Sequence, residues 1–292
     1  MTEAIFTLPD DRKLSYAVYG PADGKPVLYF HGTPSSRKEV LLLKAYGKNF
    51  DEWLYQSGIK LIAPDRGSLT TYHPQRTFSS FAADAVELLR SLGVQKCAVL
   101  CWSGGGPYAL ATAYQFPELV NGVYILCGIT RPFDRTVMQQ MGLNKWYFRT
   151  ARHAPLLLRT ALAVLRQQTI TSLPNQSLTG LAAVDYRLLQ QGVTAIAGYT
   201  VKEAVRKGTK AAVQEASLYF DPYDFSIAKL QQPVHYWWGT KDMAVTELHA
   251  REVEQNAVHP AMHYREGDGH LSVYINCFAE ALETIALSFA EQ

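Results

Sequence analysis

The apolar positions of this chain alternate between short strand-like runs and longer helically spaced stripes. Ile5-Phe6-Thr7-Leu8 and Leu14-Ser15-Tyr16-Ala17-Val18-Tyr19 are short and partly alternating, with the turn residues Pro9-Asp10-Asp11 between them. They predict an antiparallel pair at a sheet edge. Val27-Leu28-Tyr29-Phe30, Ile59-Lys60-Leu61-Ile62-Ala63, Cys97-Ala98-Val99-Leu100-Cys101 and Val123-Tyr124-Ile125-Leu126-Cys127 are nearly continuous apolar runs. Such runs suit strands buried on both faces of a parallel sheet. Residues 78–92 instead place Phe81, Ala85, Leu88, Leu89 and Leu92 on one helix face, stopped at Gly93. Residues 109–116 are alanine-rich and read as another helix. Strands alternating with helices predict an α/β fold with a mostly parallel central sheet and helices on both faces.

The alternation stops after Thr130. From there to 228 no strand pattern is evident. Helical spacing is seen at 156–166 and 200–218, and Pro155, Pro174, Gly180, Gly192 and Gly198 act as breaks. Strand character returns at Pro233-Val234-His235-Tyr236-Trp237-Trp238, followed by a helix over 247–256, a strand at Met262-His263-Tyr264-Arg265 and a last helix over 271–290. The expected organisation is a core of residues 1–129 and 229–292 with a helical lid at 130–228. A lid there would cover the carboxyl edge of the sheet, where open α/β sheets bind ligands.

The whole-chain charge of +2 singles out no nucleic acid or other polyelectrolyte partner. Its distribution is uneven, however. Residues 130–228 hold 12 Lys or Arg against 6 Asp or Glu, so the lid is +6 and the remainder −4. A basic lid could favour anionic substrates or an anionic surface. Leu156, Leu157, Leu158, Leu162, Val164 and Leu165 could pack against an acyl chain, although stripes at helical spacing more often hold a core together. The cysteines at 97, 101, 127 and 277 form no C-x-x-C pair and read as buried, reduced thiols. Neither a leader-like start nor an apolar run of about 18 residues is seen, so a cytoplasmic protein without a stable membrane anchor is expected.

The chemistry centres on Cys97-Ala98-Val99-Leu100-Cys101-Trp102-Ser103-Gly104-Gly105-Gly106-Pro107-Tyr108. A serine on a sharp strand-to-helix turn is the arrangement of a nucleophile elbow. Glycines let backbone pass close to backbone there, and Pro107 suits a first helical turn. A phosphate-cradling loop is the rival reading, and the absence of a following lysine argues against it. A serine hydroxyl needs a base. Of eight histidines, His270 has the fitting context, after Gly267-Asp268-Gly269 on a loop between the last strand and the last helix. His235 and His263 fall within strands, and His249 within a helix. Asp242, at the end of Gly239-Thr240-Lys241-Asp242, is placed to orient that base. Asp268 is too near His270 in sequence, and Asp84 sits inside a helix. For the oxyanion, the Thr33 N–H in His31-Gly32-Thr33-Pro34 and the Gly104 N–H are the expected donors, with Gly32 and Trp102 beside them. His31 is expected to orient its loop and transfer no proton.

These pieces, with Ala63-Pro64-Asp65-Arg66, resemble the lidded members of the α/β-hydrolase superfamily, similar to prolyl iminopeptidase-like and esterase-like enzymes. The resemblance spans nearly all of the chain outside the lid. It implies Ser103 as nucleophile, Asp242 as acid and His270 as base, in that order along the chain. There are two departures. Cys101 stands where the family usually has glycine, and Asp65-Arg66-Gly67-Ser68-Leu69 lacks the usual proline-glycine continuation. The expected activity is hydrolysis of a small-molecule carboxylic ester through an acyl-enzyme, with no metal or organic cofactor. An aminopeptidase, a carbon–carbon bond hydrolase and a ligand-binding protein of low turnover are the competing readings.

Overall fold

The computed structural model describes residues 1–66, 72–176 and 179–290. Strands β1 (Thr2–Thr7), β2 (Lys13–Tyr19), β3 (Lys25–Phe30), β4 (Ile59–Pro64), β5 (Cys97–Trp102), β6 (Val120–Leu126), β7 (Val234–Gly239) and β8 (Pro260–Arg265) form one sheet. Their order is β1-β2-β4-β3-β5-β6-β7-β8. β1 pairs antiparallel with β2 at the sheet edge, as the alternating N-terminal pattern predicts, and β2 is also antiparallel to β4. All pairings from β4 to β8 are parallel. Strand order reverses at β3, which has β4 on one side and β5 on the other. A crevice opens at the carboxyl ends of strands where an open sheet reverses in this way.

The helices are α1 (Leu41–Ala45), α2 (Phe50–Ser57), α3 (Phe78–Ser91), α4 (Gly106–Gln115), α5 (Arg135–Gln140), α6 (Lys145–His153), α7 (Pro155–Gln167), α8 (Ala183–Ile196), α9 (Lys210–Leu218), α10 (Glu247–Asn256) and α11 (His270–Ser288). Successive side chains of a strand point to opposite faces. In β3, Tyr29 meets Phe278 of α11, while Phe30 meets Phe81 of α3 and Tyr108 of α4. Helices therefore cover both faces of the sheet, which is why the central strands are apolar on both.

Among the described residues, the chain between β6 and β7 holds helices and turns and no strand. The helix expected over 200–218 is broken. A π-helical stretch, Ala197–Lys202, gives way to turns, and Gly208 at φ +132° precedes α9. A side chain at that φ would be strained, so the helical spacing of Val201, Ala204 and Val205 cannot carry through. In α7, Leu158 and Leu162 are buried whereas Leu156, Leu157 and Val164 are exposed. All four cysteines are buried and unbridged. Among the described residues, no helix is long and apolar enough to cross a membrane.

Candidate active site

β5 delivers Ser103 into a turn at φ +53°, an unfavourable conformation for a side-chain-bearing residue. The turn is held by close backbone packing. A Cβ on Gly105 would stand 2.2 Å from the Phe30 carbonyl oxygen, and one on Gly106 would stand 2.0 Å from that of Ile129. The Ile129 N–H also donates to the Ser103 carbonyl at 2.9 Å. Cys101 is fully buried beneath the turn, its Cβ facing Gly105. Burial pushes its thiol up, so it is a neutral packing group. Cys101→Gly is expected to keep turnover within a few-fold while lowering stability by about 1–2 kcal/mol, from a lost buried side chain and a freer backbone. Paired urea denaturation and steady-state kinetics check this, and a collapse of turnover in the folded variant would give the thiol a chemical role.

Asp242 lies three residues past the end of β7, and its side chain is fully buried. Its Oδ1 accepts the Ala244 and Val245 N–H groups at 2.7 and 2.9 Å. Its Oδ2 faces His270 Nδ1 at 2.8 Å. His270 is the first residue of α11, not a loop residue as the sequence suggested. Its ring is sheltered by Trp102, which stacks on it at 5.1 Å and on Tyr274 at 4.4 Å. Burial lowers the His270 pKa, but the Asp242 charge and hydrogen bond, aided by Asp185, more than offset this, and the net shift is upward. Cys127, at φ +45°, brings its Sγ within 4.8 Å of the Asp242 and His270 ligand atoms. That trio has the residue types for a metal. The 2.8 Å between Nδ1 and Oδ2 is nonetheless a hydrogen-bond separation, shorter than the roughly 3.3 Å kept by two ligands on one zinc.

The His31-Gly32-Thr33 loop follows β3 and closes over the elbow. A Cβ on Gly104 would stand 2.5 Å from Thr33 Cγ2, and one on Gly32 would stand 3.4 Å from Ser103 Cβ. His31 is buried, with Nδ1 2.7 Å from the Gly32 carbonyl and Nε2 accepting the Arg66 N–H at 3.3 Å. Burial and the Arg66 charge hold its pKa well below the ordinary range. A neutral Nδ1–H imidazole fits both contacts, in keeping with an orienting role. Arg66 Nη2 donates to the Gly32 carbonyl at 2.9 Å, and Nη2 and Nε meet Glu215 Oε1 of α9 at 3.0 and 3.1 Å. The Gly32 N–H points to both oxygens of Glu39, each at 2.9 Å. Burial pushes the Glu39 pKa up to about 7. The altered Gly67-Ser68-Leu69 stretch lies outside the described residues.

A cavity of about 260 Å³ brings these groups together. Gly32, Thr33, Trp102, Ser103 and His270 line it. Its apolar walls include Leu42, Leu181, Leu189 and Leu271, so the leucines of α7 named above are not the ones facing it. Sequence reasoning misses Glu39 altogether, and it notes Asp185 only as one of the few lid acids, not as a partner of α11. Asp185 lies in an apolar stretch and Glu39 directly follows Arg37-Lys38, and neither setting reveals a buried partner.

Solved structures share the fold at low identity. A carboxylesterase from Nitrososphaera gargenis has a TM-score of 0.71 at 18% identity, covering 99% of this chain and 100% of its own. The enol-lactonase of Burkholderia xenovorans LB400 has a TM-score of 0.68 at 14% identity, covering 99% and 100%. An esterase from Rhodococcus sp. ECU1013 has a TM-score of 0.65 at 18% identity, covering 98% and 100%. No curated protein matches the sequence. The family profile described as alpha/beta hydrolase fold matches residues 25–275, spanning the elbow, the Asp242–His270 pair and the loop after β3. The chain belongs to the alpha/beta hydrolase fold family.

Proposed function

We propose that the protein is a serine hydrolase that cleaves a small-molecule carboxylic ester. The observation that carries the reading is the buried Asp242–His270 pair opening onto the cavity that also holds Ser103 on its strained turn. With Nδ1 engaged by Asp242, the His270 Nε2 is the nitrogen left to take the Ser103 proton. The serine Oγ then attacks the ester carbonyl, and the Thr33 and Gly104 N–H groups hold the oxyanion. His270 returns the proton to the departing alcohol, and water releases the acyl group by the same steps in reverse. Residues 130–228 act as the lid. The cavity falls just below the usual range of about 300–1,000 Å³ for small-molecule sites, which favours a compact acyl group over a long chain.

Aminopeptidase activity would need a lid carboxylate to hold the substrate amine. Glu203 instead pairs with Arg37, Glu215 with Arg66, and Asp185 binds three backbone N–H groups of α11. This argues for the ester reading. A fluorophosphonate probe is expected to label Ser103, and Ser103→Ala is expected to abolish labelling and lower p-nitrophenyl butyrate hydrolysis by about 10⁴-fold or more. Equal labelling of the alanine variant would overturn the assignment. Turnover of amino-acid anilides or vinylogous diketones, without esters, would overturn the substrate class.

A further inference from the structure

The N-terminus of α11 is incompletely capped by its own sequence. Its N-cap residue is Gly269, and Ser272 Oγ reaches back to the Gly269 N–H at 2.7 Å. That is one half of a capping box. The other half, an N-cap side chain accepting the first-turn N–H groups, is impossible for glycine. Asp185, in the first turn of α8 and 2% exposed, supplies it from another part of the chain. Its Oδ2 accepts the His270 N–H at 2.6 Å, and its Oδ1 accepts the Leu271 and Ser272 N–H groups at 3.1 and 2.9 Å. A Cβ at position 269 would stand 2.3 Å from Asp185 Oδ2, so the missing local cap is what makes room for this one.

The residue whose N–H takes the shortest of these bonds is His270. We propose that Asp185 is a positioning residue for His270: seating α8 on the start of α11 fixes the imidazole and sets a second carboxylate beside it, so closure of the helical segment and competence of the base are one state. This deepens the hydrolase reading and rests on His270 being its base. The charged groups facing His270 are Asp242 from the turn after β7, Asp185 from α8 and Glu39 from the segment after β3, all of which favour the imidazolium, and the Cys127 thiol after β6, kept neutral by burial, lies within 4.8 Å.

The test follows the His270 titration directly by NMR of ¹³Cε1-labelled histidine, with Asp185→Asn and Asp185→Ala set against the wild type. Losing the Asp185 charge is expected to lower the His270 midpoint by about 0.5–1 pH unit, the lower end of what a nearby carboxylate does. The acid limb of kcat/KM for p-nitrophenyl butyrate should move down with it. The alanine variant should also lose about tenfold in kcat, through a base no longer held in place. Adding Gly269→Ser to Asp185→Ala restores a local cap without the charge. Recovered thermal stability with a still-lowered His270 midpoint supports the positioning role. An unmoved midpoint in Asp185→Asn, or full recovery of midpoint and kcat in the double variant, overturns it. The NMR arm needs no turnover, so a failed ester assay sinks the hydrolase reading separately.

Discussion

Asp242→Asn is expected to lower kcat about 10⁴-fold while leaving the protein folded. The reason lies in how the carboxylate is held. Two backbone N–H groups, from Ala244 and Val245, fall on Oδ1, so an amide must keep its oxygen there. Its NH₂ then faces His270 Nδ1 where a carboxylate oxygen stood. That nitrogen must now accept, which moves the imidazole proton to Nε2 and aims a donor at the serine instead of a base. The charge that raises the His270 pKa is also lost, leaving burial to lower it. Activity in the wild type is expected to fall as pH drops through the raised His270 value, and the small residual activity of the variant should extend to lower pH. Kinetics with p-nitrophenyl butyrate from pH 5 to 9, alongside a melting curve, check both. A loss of less than tenfold would remove Asp242 from the machinery.

Glu215→Ala is expected to cost about 3–5 kcal/mol of folding stability, the usual penalty for stranding one member of a buried ion pair. Arg66 is fully buried, and Glu215 is 2% exposed. The guanidinium also lies over the Tyr108 ring at 4.5 Å. Burial alone would lower the Arg66 pKa, and the Glu215 charge is the leading effect that turns the shift upward, so removing that carboxylate takes away the main offset to burying the cation. The exposed pair Arg90–Glu87 is the control, and Glu87→Ala should cost less than about 1 kcal/mol. Urea midpoints and m-values measure the difference. Because Arg66 also holds the Gly32 carbonyl, kcat should fall together with stability. A cost below about 1 kcal/mol would mean that water reaches the guanidinium.

The parts legible from the sequence share a physical cause. β3, β5 and β6 are covered on both faces, so their apolar runs are nearly continuous and hard to mistake. Ser103, Asp242 and His270 each follow a strand, Ser103 and His270 next to a glycine and Asp242 three residues after Gly239, and strand ends converge on one edge of a parallel sheet. The helix from Glu247 to Asn256 was legible to the residue, because an acidic first turn and a following proline-containing segment bound it. Other features depend on contacts that local sequence does not encode. α1 and α5 are too short to show a period. Asp185 looks like a surface acid until the backbone N–H groups of α11 meet it, and Glu39 until its own loop folds the Gly32 N–H onto it. The break before α9 hides behind apolar residues that keep helical spacing up to Gly208.

The sheet order carries a consequence for how the protein is made. The backbone contacts that brace the Ser103 turn come from β3 and from the residues just past β6, all in the first half of the chain. Asp242 and His270 arrive with β7 and α11, and His270 lies 167 positions downstream of Ser103. At ribosomal speeds of about 5–20 residues per second, Ser103 is made roughly 10–30 s before the histidine proposed as its base. On the proposed mechanism the site is complete only once the last helix is made, and that helix is also the docking point of Asp185.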